Sequence, residues 1–223
     1  MPKRGLDQLI NREQPAWPML QEWFRQAGNP VEVLPPHQER AQVLLEIQVT
    51  TRSPLGAVIY ESGGLLVDNG WLRVLGSGHE KLSSLPAWNR SIGCDLSQGP
   101  PPFLLIAFDA LGGPFVLDGG GLGRAGGVFY RGPENLQWTD TELNYTEFLR
   151  FSLYGDLGAF YGELRWPGWQ TELAEQLGNC GDHGLLVEPP LHCDGPPVAG
   201  RERSVVPMAQ LFALHGVSAS PPV

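Results

Sequence analysis

Residues 103–130 read FLLIAFDALGGPFVLDGGGLGRAGGVFY, and this stretch limits the possible folds more than any other. An apolar run from Phe103 to Phe108 ends at Asp109. A Leu-Gly-Gly-Pro turn follows, then a second run, Phe115 to Leu117, ending at Asp118. After a glycine cluster, Val128-Phe129-Tyr130 closes the unit. Apolar runs this short, bounded by Gly and Pro and rich in β-branched and aromatic residues, are buried strands rather than helices. The reading is three strands joined by glycine turns.

Upstream, Ala57 to Glu61, Leu65 to Asp68 and Trp71 to Leu75 read as three more strands. Asn69-Gly70 lies between the last two. That dipeptide predicts a two-residue type I′ hairpin turn, because both residues tolerate positive φ. Ahead of these strands, Leu6 to Ile10 predicts a short helix. A second helix places Ala16, Leu20, Trp23, Phe24 and Ala27 on one face and stops at Gly28 and Pro30. Val31 to Leu34 is a short strand or link, and Pro35-Pro36 opens a helix to about Ile47. Gly76 to Pro102 reads as a long irregular insertion carrying Trp88, which either anchors the loop on the core or marks a contact surface.

Beyond the central unit, Leu136 to Trp138 is a further strand candidate. Asn144 with Glu147 forms a capping-box pattern before a helix that ends at Gly155. Further helices are predicted over Asp156 to Leu164 and from Pro167 to Leu177. Gly184 to Pro190 reads as a strand, Gly195 to Arg203 as loop, Val205 to Leu214 as a last helix and Ser218 to Val223 as a loose tail. High Gly 29 and Pro 21 without a period favour a meandering sheet over a bundle. The expected class is α+β: a central, mainly antiparallel sheet of about six strands with N-terminal and C-terminal helices. A chain of 223 residues with 42% hydrophobic content suits a single domain, its core over about residues 5–215.

The net charge is -9, and Lys3 and Lys81 are the only lysines. Phosphate contacts need clustered Lys and Arg, so direct nucleic-acid binding is not expected, whereas an acidic body suits a basic partner. Cys94, Cys180 and Cys193 are odd in number and far apart, which is no disulfide framework. With no signal-like start and no apolar run of membrane length, the expectation is a reduced, cytoplasmic protein that does not enter a membrane.

Four constellations bear on chemistry. Gly121, Gly123 and Gly126 spell GxGxxG, but β-branched and aromatic residues follow where a phosphate-binding helix would have to start. A kinase-type glycine loop would need a lysine on the next strand, and none follows Lys81. Cys180, His183, His192 and Cys193 include zinc-ligand types, but the order C-x2-H-x8-H-C matches no known site, so neither metal nor cofactor is expected. Asp68, Asp109 and Asp118 each end an apolar strand. Gathered at one rim they could do acid–base work; singly, they accept hydrogen bonds from turn N–H groups.

Several segments carry a family resemblance. They are Gln48-Val49-Thr50-Thr51-Arg52-Ser53-Pro54-Leu55-Gly56-Ala57, the run from Asp68 through Trp71 and Arg73 to Gly78, Gly119 to Gly123, and Leu164-Arg165-Trp166. Over most of residues 5–215 the chain resembles an uncharacterised bacterial family, domain of unknown function 2625, which implies no activity and no catalytic residues. Phe108-Asp109-Ala110-Leu111-Gly112-Gly113-Pro114-Phe115 is more distantly similar to the SUKH superfamily of Smi/Knr-like immunity proteins. That similarity implies an α+β fold and neutralisation of a toxin by binding.

The resulting expectation is a non-catalytic protein-binding module, immunity-like, whose partner is a protein such as a basic toxin. Trp88, Asp68, Trp71, Asp109, Asp118 and Arg124 are its candidate contact residues. The alternative is an enzyme or ligand-binding protein that uses the strand-end aspartates on a small molecule.

Overall fold

The computed structural model describes residues 3–96, 99, 101–178 and 180–218. The strands are β1 Val31–Leu34, β2 Gly64–Val67, β3 Leu72–Leu75, β4 Phe103–Asp109, β5 Pro114–Asp118, β6 Gly127–Arg131, β7 Trp138–Asn144, β8 His183–Glu188 and β9 Glu202–Pro207. The helices are α1 Leu6–Leu9, α2 Trp17–Gln26, α3 Arg40–Ile47, α4 Pro54–Glu61, α5 Leu85–Ser91, α6 Tyr145–Tyr154, α7 Leu157–Tyr161, α8 Trp169–Gln176 and α9 Met208–Leu214. The fold is α+β. Strands β1 to β7 form a 7-stranded sheet in chain order, antiparallel throughout, and β8 pairs with β9 in a second, two-stranded sheet.

Short glycine-containing links join β2 to β3, β4 to β5 and β5 to β6 and leave no room for a crossover, so these strands pair in succession; β1 also pairs with β2 across α3 and α4, and β3 with β4 across α5. The two faces of the sheet carry different helices. Ala107, Phe115 and Tyr130 share one face through their cross-strand pairing. On that face α6 packs Phe148 against Phe115, 5.0 Å between ring centroids. On the other face, α5 and α9 cover Phe108 with Trp88 and Phe212, at 5.0 and 5.5 Å. Asn144 caps α6 by accepting from Glu147 N–H, and the Glu147 carboxylate returns a bond to Asn144 N–H, the predicted capping box.

Several segments differ from their sequence expectation. Ala57–Glu61 lies in helix α4, not in a strand. Ser53 caps it by accepting from Gly56 N–H at 3.1 Å, and Pro54 occupies its first turn. Leu55 to Ile59 are all buried, so α4 lacks the polar face that makes a helix readable from periodicity. Helix α3 starts at Arg40 rather than at Pro35.

The turn between β2 and β3 takes four residues, not two, because Val67 pairs with Leu72. Asp68, Asn69 and Gly70 all have positive φ (50°, 56° and 76°). This wider turn withdraws Trp71 from the strand and buries it completely. The predicted irregular insertion contains α5, and the predicted loop before Arg203 leads into β9, which precedes α9. Apart from Ser218, the expected tail lies outside the described residues.

Candidate functional site

The strand-end aspartates do not share a rim. Asp109 pairs with Leu72 at one end of β4, whereas Asp118 pairs with Phe103 at the other. Asp68, in the β2–β3 turn, falls at the Asp109 end. Asp118 accepts from the N–H groups of Gly120, Leu122 and Arg124 at 2.8–2.9 Å. Burial opposes its charge, but these donors outweigh burial and hold the carboxyl below its ordinary value. The glycine loop is thus an anion-binding nest already filled by the protein's own carboxylate. Arg124 leaves that loop to make a two-pronged pair with Asp140.

Asp109 is fully buried and tightly satisfied. Its carboxylate accepts from Leu111 N–H and Gly113 N–H, both at 2.9 Å, and from the Tyr130 hydroxyl at 2.7 Å. Burial raises its pKa to about 6 against the opposing pull of these bonds and of Arg73. This aspartate locks the β4–β5 turn. Trp88 is 5% exposed, and its indole Nε1–H donates to Asp182 at 3.0 Å, so its ring fastens α5 to the core instead of facing solvent.

Trp71 belongs to an aromatic box. Its ring meets those of Tyr161, Trp166 and Trp169 at 5.4, 5.9 and 5.0 Å. The Arg165 guanidinium lies over Trp71, Tyr161 and Trp169 at 4.3–4.9 Å and forms an ion pair with Asp68. Asp68 and Trp71 of one resemblance segment therefore meet Arg165 and Trp166 of another. Of the six candidate contact residues, the structure joins Asp68 to Trp71 in this box and places Asp109 near it. Trp88 packs on the opposite face of the sheet, and Asp118 and Arg124 lie at its far end.

What sequence reasoning missed is Arg73. It sits in the middle of β3, in the run Leu72-Arg73-Val74-Leu75, and is 2% exposed. Its Nε and Nη1 are buried and have no hydrogen-bond acceptor among the described residues. Burial lowers its pKa to about 10, while Asp109, Tyr161, Cys180 and Asp182 pull it back up. The guanidinium is therefore a cation at neutral pH, at a place where an unpaired charge costs several kcal/mol, roughly. The legible signal was a charged residue on a strand whose neighbours are all apolar.

Arg73 lines a cleft of about 360 Å³ between the β2–β3 hairpin and the end of α8. Leu66 and Val31 form apolar wall on the sheet side, and Leu173, Ala174 and Leu177 form it on the helix side; Asn69 and Cys180 are among the other lining residues. Glu32, also in the lining, is neutralised by Lys81, whose Nζ lies 2.5 Å away. The C-terminal turn of α8 contributes about half a negative charge, less than the full positive charge of Arg73.

The Cys/His patch divides. Cys180 Sγ lies 2.8 Å from His183 Nδ1. His192 lines a separate cleft with Leu185, Leu191 and Leu211, and the Cys193 thiol is exposed. Among the described residues, no three His, Cys, Asp or Glu side chains are arranged to hold a metal ion. Among them, too, no helix is long and apolar enough to cross a membrane.

Comparison with known proteins agrees with the resemblance read from the segments above. A family model described as "Protein of unknown function DUF2625" matches residues 6–211. An Escherichia coli K12 protein named YbfG, described as uncharacterized, is 43% identical over 178 residues, covering 76% of this chain and 78% of that protein. An uncharacterized protein of Haemophilus influenzae is 44% identical over 177 residues, covering 78% of each. No solved structure matches. The chain belongs to the DUF2625 family of proteins of unknown function.

Proposed function

We propose that this protein binds a small molecule with a short apolar body and an anionic head, and that the cleft beside Arg73 holds it. One observation carries the reading: a buried guanidinium, two of whose nitrogens find no acceptor among the described residues, borders a cleft with apolar walls. Buried donors are almost always paired, and an unpaired one calls for a partner. A carboxylate or phosphate matches guanidinium geometry, and apolar walls with few fixed polar groups are the usual make-up of a ligand site. Of the small-molecule and partner-binding alternatives, this is the first, with Arg73 in place of the strand-end aspartates.

A second reading, an immunity-like protein docking a basic toxin on its acidic surface, draws on the net charge of -9. Its proposed aromatic anchor, Trp88, is buried.

Calorimetry separates the two. Short-chain mono- and dicarboxylic acids and small phosphate esters are titrated into the protein and into Arg73→Met. The proposal expects saturable binding by at least one of them, weakened roughly 10- to 100-fold in the variant, the worth of a charged hydrogen bond. Affinity unchanged by Arg73→Met, or no binding across the panel together with tight salt-sensitive binding of a basic protein, would overturn it.

A further inference from the structure

Cys180 lines the same cleft as Arg73, and the sulfur faces an imidazole nitrogen. A thiol 2.8 Å from His183 Nδ1 has its base in place, and a thiolate is the nucleophilic form of cysteine. Arg73 is close enough to Cys180 for their charges to interact. The turn that carries the pair is held firmly. Gly181 N–H donates to Lys81 C=O at 2.6 Å. The Asp182 carboxylate accepts from Ser83 N–H, Ser83 Oγ–H and Trp88 Nε1–H, and its C=O accepts from Met208 N–H. Cys180 and His183 are both partly exposed, so a ligand can reach them.

We infer that Cys180 is a nucleophile primed by His183, and that it attacks an ester or thioester whose anionic group is held by Arg73. The anionic half of this inference rests on the ligand reading above. In the step, the thiol proton passes to His183 Nδ1 and the sulfur bonds to the carbonyl carbon. The carbon–oxygen or carbon–sulfur bond to the leaving group then breaks. The leaving alkoxide or thiolate takes the proton from His183. Water, losing a proton to His183, next attacks the acyl-cysteine; the carbon–sulfur bond breaks, the free acid departs and the thiol is restored. No oxidant or metal enters the balance.

Alkylation tests both halves in the whole protein, with Cys193, an exposed thiol, as the internal standard. Iodoacetate and iodoacetamide react by the same displacement of iodide, but only the first carries a carboxylate. Labelling of each cysteine is followed by peptide mass spectrometry from pH 5 to 9. Cys180 should react at least about tenfold faster than Cys193 at pH 7. His183→Gln should remove that advantage. Relative to Cys193, Cys180 should also prefer iodoacetate over iodoacetamide, and Arg73→Met should abolish the preference. A Cys180 rate like that of Cys193 in the wild-type protein overturns the nucleophile without needing any variant to fold. An advantage that survives His183→Gln overturns the role of His183. Fast, His183-dependent labelling with no carboxylate preference overturns the anionic substrate and the ligand reading beneath it, while the primed thiol stands.

Discussion

The Asp68 carboxylate stands 2.7 Å from Nη2 of Arg165, with both side chains only 13% and 10% exposed. The contact is an ion pair without hydrogen-bond alignment, since Nη2 and Nε of Arg165 have no aligned acceptor among the described residues. Three aromatic rings surround the cation, so the pair joins the β2–β3 turn to the segment ahead of α8. Removing one partner strands the other in a nearly dry place. Arg165→Ala should cost about 3 kcal/mol of unfolding free energy. Urea unfolding followed by tryptophan fluorescence will report it, because Trp71, Trp166 and Trp169 form the box. A loss below about 0.5 kcal/mol, the level of an exposed pair, would refute the arrangement.

Asn89 is fully buried on α5 and substitutes for a strand neighbour. Its Oδ1 accepts from Leu105 N–H, and its Nδ2–H₂ donates to Leu105 C=O and Leu85 C=O, all at 2.9 Å. The bond to Leu105 falls where β4 slips register against β5. Asn89→Leu would leave a backbone donor and acceptor buried without partners. The expected cost is about 3 kcal/mol in thermal or chemical unfolding; a neutral substitution would show that β4 finds other partners.

The elevated pKa of Asp109 has a definite sign in stability. Folded, the carboxyl holds its proton up to about pH 6; its ordinary value is 3.8. Below the lower value its contribution is fully present, and it is lost as pH rises through the window between the two, about 3 kcal/mol in all. Asp109→Asn keeps an acceptor for Leu111 and Gly113 N–H but cannot titrate. The difference in unfolding free energy between wild type and variant should therefore shift in favour of the variant as pH rises from about 4 to about 6. A pH-independent difference would mean that Asp109 titrates in the folded protein as it does in the unfolded chain.

The β2–β3, β4–β5 and β5–β6 pairings were legible because their links are local. Gly112-Gly113, the glycine cluster after Asp118 and Asn69-Gly70 mark where the chain reverses, and antiparallel pairing follows from their closeness. Helix α4 was not, because Leu55 to Ile59 are buried on every side and leave no periodicity; only Ser53-Pro54 betrays its start. The residues of the wide β2–β3 turn, Asp68 and Trp71, meet Arg165 and the aromatic box, which lie far along the chain. The cleft was least legible. No local pattern tells that α8 and Cys180 come to rest beside a strand arginine. Cys180 and His183 were seen only as part of a patch with His192 and Cys193 whose spacing fits no metal site, so their mutual contact was not drawn from the sequence.

Arg73 also distinguishes a functional charge from a structural one by its effect on stability. A buried ion without full pairing is often replaced by an apolar side chain at no cost, or with a gain of about 1–4 kcal/mol. Arg73→Met should thus unfold at the same or a higher urea concentration than wild type while losing ligand. A destabilisation of about 3–5 kcal/mol would instead assign Arg73 to a structural pair with Asp109.

The most direct test observes the Arg73 Nε–H itself. In ¹⁵N-resolved NMR at pH 7, a buried guanidinium gives a solvent-protected Nε–H resonance, identified by its loss in Arg73→Met. This resonance should move in a saturable way as a short-chain carboxylic acid or small phosphate ester is added, tracking the heat of binding. A resonance that stays fixed across the whole panel, or while a ligand saturates the protein elsewhere, would contradict it.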